Sequence, residues 1–209
     1  MLTVLDLCCG TGSVGASFKR VLGDDVTIIS LDLLPKFRPT IVAGILTWDY
    51  KSLQLEGPLV IWGSPPCTEY SKAKTVGYRN LRLADAIAKK VFEIIDHFKP
   101  STWFVENPRG MLRHRPFMAR YSALLRPCSY CKYGFLYRKA TDLWTNSRSL
   151  RTLDICYTKN PCRHRTDGRH THTAQRGPTS TGCLGCVVTR VSYAVPEALM
   201  DVLLFHLNV

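Results

Sequence analysis

The sequence predicts an α/β fold, parallel strands covered by helices, and three observations carry that expectation. Short apolar runs alternate with amphipathic stretches through the first two-thirds of the chain. The clearest amphipathic stretch repeats its apolar residues at three- and four-residue intervals, the period of a helix with one buried face. The first apolar run opens onto a glycine-rich turn, as strands do where a nucleotide lies against the carboxyl edge of a sheet. A chain of 209 residues, 45% of them hydrophobic, can bury a sizeable core. Wholesale disorder is excluded, and one domain, alone or with a small annex, is expected.

Taken in order, strands are expected from Thr3 to Cys8, Val26 to Asp32, Thr40 to Ile45, Leu59 to Gly63 and Thr102 to Glu106. Between the last two lies the clearest helix, Leu83 to Phe98, with Ile87, Val91, Ile94, Ile95 and Phe98 on one face and Lys89, Lys90, Glu93 and Asp96 on the other. It stops before Pro100, because the residue preceding a proline is pushed out of the helical region. Beyond Arg113 the pattern suits antiparallel strands, around Ser129 to Gly134 and Thr141 to Asn146. A final amphipathic helix is expected from Pro196 to Leu207, with proline at an early helical position where its missing N–H costs nothing.

From Asn160 to Gly182 there is no large apolar residue. Such a stretch cannot build a core, so a metal, a partner or disorder must account for it. The expected division is a core of residues 1–146, a basic Cys/His-rich annex of residues 147–190, and residues 191–209 packing back on the core.

Charge narrows the partner. Lys and Arg number 28 against 16 Asp and Glu, a formal +12, which favours a polyanion, nucleic acid first. Eight basic residues against two acids fall between Ser147 and Arg190, among them Arg163, Arg165 and Arg169, expected on a phosphate backbone. No stretch approaches the roughly 18 apolar residues of a membrane helix. Met1 leads into an apolar run with no basic leader or cleavage site. A cytoplasmic or nuclear protein, not secreted, is therefore expected, acting as a monomer. Its nine cysteines are expected as thiols, serving as nucleophiles, metal ligands or packing. Cys183 and Cys186 have the spacing of a zinc knuckle and, with Cys156 and Cys162, form one candidate zinc site. Cys128 and Cys131 could compete or simply pack, and the annex histidines are expected to face phosphate or solvent.

Four strand ends carry the chemistry. The first runs through Asp6, Cys8, Cys9, Gly10, Thr11, Gly12 and Ser13, where glycines let a nucleoside approach the backbone. The second ends in Asp32, placed to accept ribose hydroxyls. The fourth ends in Ser64-Pro65-Pro66-Cys67, in which two prolines stiffen the chain before a thiol suited to be a nucleophile. The fifth brings Glu106-Asn107-Pro108 to the same edge. Glu106 would be costly to bury as an anion, which suits an acid.

Together these motifs resemble the cytosine-5 DNA methyltransferases, most closely the short enzymes of phages and large DNA viruses. A D-L-x-x-G-x-G turn, an acid ending strand two, a P-P-C loop, an E-N pair, a basic strand and a terminal V-P helix span nearly the whole chain. The resemblance implies a Rossmann-like sheet with helices on both faces, binding S-adenosylmethionine and acting on DNA or RNA, in the host cell if the protein is viral. By the same resemblance Cys67 adds to cytosine C6 and Glu106 protonates N3. Arg138 or Lys139 holds the base and the nucleic-acid backbone. Leu33, Ile45, Pro65 and Val195 complete the cofactor pocket, with Val195-Pro196 closing it. Asp49 stands in for the family's adenine-binding acid, because Gly44 occupies that acid's slot. The roughly forty-residue annex replaces a much longer target-recognition domain. A tRNA cytosine-5 methyltransferase, an N4 amino methyltransferase and an inactive nucleic-acid-binding module remain alternatives; Cys67 in place of a stacking aromatic tells against the N4 reading.

Overall fold

The computed structural model describes residues 1–170, 172–173, 185–186 and 194–207. Its centre is a seven-stranded sheet built from β1 (Leu2–Leu7), β2 (Val26–Asp32), β3 (Ile41–Val42), β4 (Leu59–Gly63), β5 (Thr102–Pro108), β6 (Leu125–Ser129) and β7 (Ala140–Thr145). The strand order is β3-β2-β1-β4-β5-β7-β6. The first five run parallel, and β7 lies antiparallel to both β5 and β6. Order reverses at β1, so the crevice between the carboxyl ends of β1 and β4 is the place where such sheets bind ligands.

Alternation along the strands sorts the core onto two faces. On one, Leu2 and Val4 of β1, Val60 and Trp62 of β4 and Phe104 of β5 pack with Val14 and Phe18 of α1 (Ser13–Leu22). Leu199, Met200, Leu203 and Leu204 of α3 (Glu197–Phe205) complete that layer. On the other, Leu5, Leu7, Ile61 and Val105 meet Ala84, Ala88, Val91, Phe92, Ile94 and Ile95 of α2 (Leu81–Phe98). Each fully buried large side chain contributes about 1.5–3 kcal/mol, which is why the sheet, not the loops, carries stability. Asn80 caps α2, its side chain accepting the Leu83 N–H at 3.0 Å, and left-handed Lys99 ends the helix before Pro100. Gly63 is required where β4 passes beneath α2, since a Cβ there would stand 2.4 Å from Cγ1 of Val91.

Two expectations are corrected. The sixth strand is Leu125–Ser129 rather than Ser129 to Gly134; the chain turns at Tyr130–Tyr133 into a tight 3-10 turn that ends at Gly134. Pro127 is tolerated because β6 is the edge strand, where a missing N–H leaves no partner unpaired. The third strand is only Ile41–Val42, because the chain turns at Gly44, whose carbonyl accepts the N–H groups of Thr47 and Trp48.

Beyond the sheet, β8 (Arg165–Thr166) and β9 (Arg169–His170) form a hairpin. Farther on, β10 (His172–Thr173) pairs with β11 (Gly185–Cys186). Among the described residues no helix is long and apolar enough to cross a membrane.

Candidate active site

The first strand end is a backbone cradle. Cys8 takes a left-handed conformation, φ 57°, and Gly10 and Gly12 follow at 51° and 71°. A Cβ at either glycine would meet nothing within 4 Å, so glycine is needed for the conformation and the space before it stays open. Gly12 precedes α1 without any side-chain cap, which leaves the helix's first N–H groups aimed outward. Asp32 orders this turn. Its Oδ2 accepts the Gly10 N–H at 2.9 Å and its Oδ1 the Leu34 N–H at 2.8 Å, which leaves one lone pair per oxygen for hydroxyls.

Beneath the turn lies Asp6, 1% exposed, where the Gly15 backbone N–H faces a carboxylate with no side-chain partner. Burial, reinforced by Asp32, pushes its carboxyl up to about 7. The buried Thr11 hydroxyl is unpartnered. Buried acceptors with lone pairs to spare, beside an open glycine turn, are what a nucleoside with amino and hydroxyl donors would satisfy, so these residues fit S-adenosylmethionine. A cavity of about 430 Å³ adjoins them, lined by Thr11, Ser13, Phe135, Val195 and Pro196. Its lid is tied down by the Val195 N–H, which donates to Ser13 Oγ at 3.0 Å. The neighbouring thiols are inert, because burial and the carboxylates push Cys8 and Cys9 each up to about 12.

The end of β4 presents the thiol. Pro65 is buried and Cys67 half-buried, one residue before a 3-10 turn at Thr68–Tyr70. Its loop is braced from both sides. The Tyr70 hydroxyl donates to Asp85 at 2.9 Å, and Arg115 holds the other oxygen of that carboxylate at 2.7 Å. Asn107, directly after Glu106, donates from Nδ2 to the Pro65 carbonyl at 2.8 Å. That buried bond locks the end of β5 to the proline loop. Burial raises the Cys67 thiol above its ordinary value; Glu106 adds to the rise, and Lys139 opposes it. The two expected catalytic residues are therefore near enough to feel each other's charge.

Glu106 is 6% exposed and is not left uncompensated. The Tyr130 hydroxyl donates to its Oε1 at 3.0 Å, and Lys139 Nζ stands 3.9 Å from the same oxygen. Lys139 also lies over the Tyr130 ring, 4.5 Å from its centre. Tyr130 went unnoticed in the sequence, for it belongs to no motif and sits in a segment expected as strand. Its only signal was an aromatic beside Cys131 after an apolar run.

Other expected site residues divide. Lys139, not Arg138, reaches Glu106; Arg138 is exposed, its charge acting on His170. Ile45 is buried, whereas Leu33 is 67% exposed and Asp49 lies exposed before a 3-10 turn. Arg163 and Arg169 are exposed, and Arg165, half-buried, binds the Gly168 carbonyl at 3.2 Å. Of the four thiols expected around zinc, Cys156 and Cys162 lie together, but their companions are Cys131 and His170. Cys131 thus meets one of its two expected fates in joining Cys156 and Cys162, whereas His170 stands against two sulfurs rather than facing phosphate or solvent. Cys183 and the side chain of Cys186 lie outside the described residues.

The fold defines the class, a Rossmann-like α/β sheet with its ligand crevice at the carboxyl ends of β1 and β4. The fold matches two solved structures: the Dnmt2 methyltransferase of S. pombe, 16% identical at a TM-score of 0.50, and a DNMT2 mutant of Spodoptera frugiperda, 14% identical at 0.52. Those matches cover 69% and 78% of this chain, which spans only 50% and 58% of theirs. A closer likeness in sequence is to the "Probable DNA (cytosine-5)-methyltransferase" of Frog virus 3 (isolate Goorha), 27% identical over 97% of this chain and 99% of that protein. No protein-family model matches the chain. The chain's family resemblance, over almost its whole length, is to the cytosine-5 DNA methyltransferases of a large DNA virus.

Proposed function

We propose that this protein methylates C5 of cytosine in DNA, using S-adenosylmethionine and a covalent bond to Cys67. The observation that carries the reading is the joining of the Cys67 loop to the Glu106 strand by the Asn107–Pro65 bond, beside a glycine turn with buried acceptors that have lone pairs to spare. Full-length similarity to a protein named for DNA methylation supports DNA as the substrate.

C5 of cytosine is a poor nucleophile until C6 is substituted and N3 is protonated. Cys67, as thiolate, forms the bond to C6, and Glu106 in its acid form delivers a proton to N3, so the ring's electrons gather at C5. Lys139 offsets the two acidic groups: it opposes the rise in the thiol and neutralises the glutamate once its proton has left. Tyr130 fixes the orientation of Glu106 by a hydrogen bond to one oxygen, leaving the other for the base. S-adenosylmethionine, when bound at Asp6, Gly10, Gly12 and Asp32, supplies the electrophilic methyl group. Once C5 carries the methyl, the C5 proton leaves to solvent, the Cys67 thiolate is expelled from C6 and N3 returns its proton to Glu106, which restores the aromatic ring and the enzyme. Arg138, Arg163, Arg165 and Arg169, with Lys139, are the cations assigned to the nucleic-acid backbone. The annex, residues 147–190, is the unit that would engage it.

The test is incubation with labelled S-adenosylmethionine and either duplex DNA or tRNA, followed by identification of the modified base. 5-Methylcytosine in DNA is expected. Its appearance in tRNA alone would overturn the substrate, and N4-methylcytosine would overturn the mechanism.

A further inference from the structure

Four potential metal ligands converge immediately beside the residue that orients Glu106. Cys131 directly follows Tyr130, and it forms a buried cluster with Cys156 and Cys162. His170 joins them from β9, so that the three sulfurs and one imidazole nitrogen all lie within 4.8 Å of one another. Nε2 of His170 is 3.6 Å from Sγ of Cys156 and 3.3 Å from Sγ of Cys162. A tetrahedral zinc ion, with Zn–S of about 2.3 Å and Zn–N of about 2.0–2.1 Å, places its sulfurs about 3.8 Å apart and its sulfur–nitrogen pairs about 3.6 Å apart. The cluster already stands close to that size.

Packing alone does not account for it. Cysteines are readily buried as small hydrophobes, yet packing gives no reason for an imidazole nitrogen to sit so close to two sulfurs. Three soft thiolates and one imidazole, with no carboxylate among them, are the donor set of a closed structural zinc site and offer no open position for catalysis. The backbone is shaped to deliver the histidine. Asp167 and Gly168 take positive φ, 51° and 78°, making the tight turn that folds β9 back on β8. Lys132, next to Cys131, donates to Oδ1 of Asn160 at 2.6 Å and to the carbonyl of Pro161 at 2.9 Å, holding the Cys162 loop against the 3-10 turn.

We propose that Cys131, Cys156, Cys162 and His170 bind one zinc ion that staples the basic hairpin of β8 and β9 to the sheet edge beside Tyr130 and Glu106. One ligand comes from the core and three from the annex, two of them within the stretch from Asn160 to Gly182 that has no large apolar residue. Metal binding thus replaces burial as the source of its folding energy. Arg163, Arg165 and Arg169 are thereby held near the catalytic crevice. Only that last consequence rests on the function proposed above.

The experiment is metal analysis of the full chain expressed with zinc and purified without chelator. About one zinc per chain is expected in the wild type and in the double variant Cys183→Ser/Cys186→Ser. Cys131→Ser and His170→Ala should each lower the content at least severalfold. Replacement of the zinc by cobalt(II) in the wild-type protein should give the intense visible absorption of a tetrahedral, sulfur-ligated ion, a readout that depends on no variant folding. Wild-type protein that takes up neither metal would overturn the site, as would zinc lost from the Cys183/Cys186 variant but kept in Cys131→Ser. Because metal content is read without any methyl transfer, an inactive protein holding zinc would refute the function and leave the site standing.

Discussion

The strand-end crevice and the annex solve the same problem by opposite means. In the crevice, side chains are placed by a sheet with an apolar layer on each face, so Asp6, Asp32, Cys67 and Glu106 inherit positions from strands that would be stable without them. In the described annex, Leu150 and Leu153 pack back on the core, whereas the only buried cluster is one of thiols, and the strands are two residues long. The lesson is that polar and charged groups can be held either by burying hydrocarbon beneath them or by tying their own backbone to a point. The first places the site without any bound metal, and the second makes its placement conditional on one.

The comparison can be broken most sharply at Cys67. Cys67→Ser should abolish methyl transfer while leaving the melting temperature and S-adenosylmethionine affinity close to wild type, because a hydroxyl is a far weaker nucleophile at neutral pH. Turnover by the serine variant within tenfold of wild type would end the covalent reading. Glu106→Gln keeps shape and removes the proton, so kcat should fall by roughly 10²–10⁴; calorimetry should find cofactor binding unchanged. A drop in cofactor affinity there would move Glu106 out of the catalytic role and into the cofactor pocket.

The annex is tested by neutralising Arg163, Arg165 and Arg169 together. Binding to DNA should weaken for every sequence alike, and the salt dependence should flatten by about one unit for each phosphate no longer neutralised. A changed preference among sequences, with an unchanged salt slope, would show these residues reading bases instead.

The smallest expected effect is one of pH. Asp6, its carboxyl raised to about 7 by burial and by Asp32, is ionised above that value and protonated below it. If its carboxylate accepts donors of the cofactor, affinity should be full above about pH 7 and fall as pH drops through it, by up to about tenfold per unit. Asp6→Asn should flatten the profile measured by calorimetry. The same raised carboxyl works against folding with the opposite slope, stability declining as pH rises from the ordinary carboxylate range towards 7 and levelling above it. A wild-type binding profile without slope would remove Asp6 from any role in holding the cofactor.

Legibility in the sequence followed the length of the pattern. Helix α2 was readable to within two residues at its start and to the residue at its end, because its apolar period runs for five turns and Pro100 forbids continuation. β1, β4 and β5 were readable because a strand buried on both faces must be almost wholly apolar. β6 was not, since Pro127 argues against a strand unless the strand is known to be an edge, and edge position is a fact of topology. In the crevice, the glycine turn, Cys67 and Glu106 announced themselves by residue type and neighbours.

By itself, then, the sequence determined the α/β class, the strand ends where the glycine turn, Cys67 and Glu106 stand, and the nature of the groups placed there. Those properties are local, set by period, by proline and glycine and by the reactivity of single side chains. Only the tertiary structure decided that Tyr130 and Lys139 serve Glu106, that Asn107 bolts β5 to the proline loop, and that Cys131 and His170 join Cys156 and Cys162. Each of those is a meeting of residues 8 to 42 positions apart in the chain. Spacing along a chain says nothing of such meetings until the order of strands in a sheet has brought the segments together.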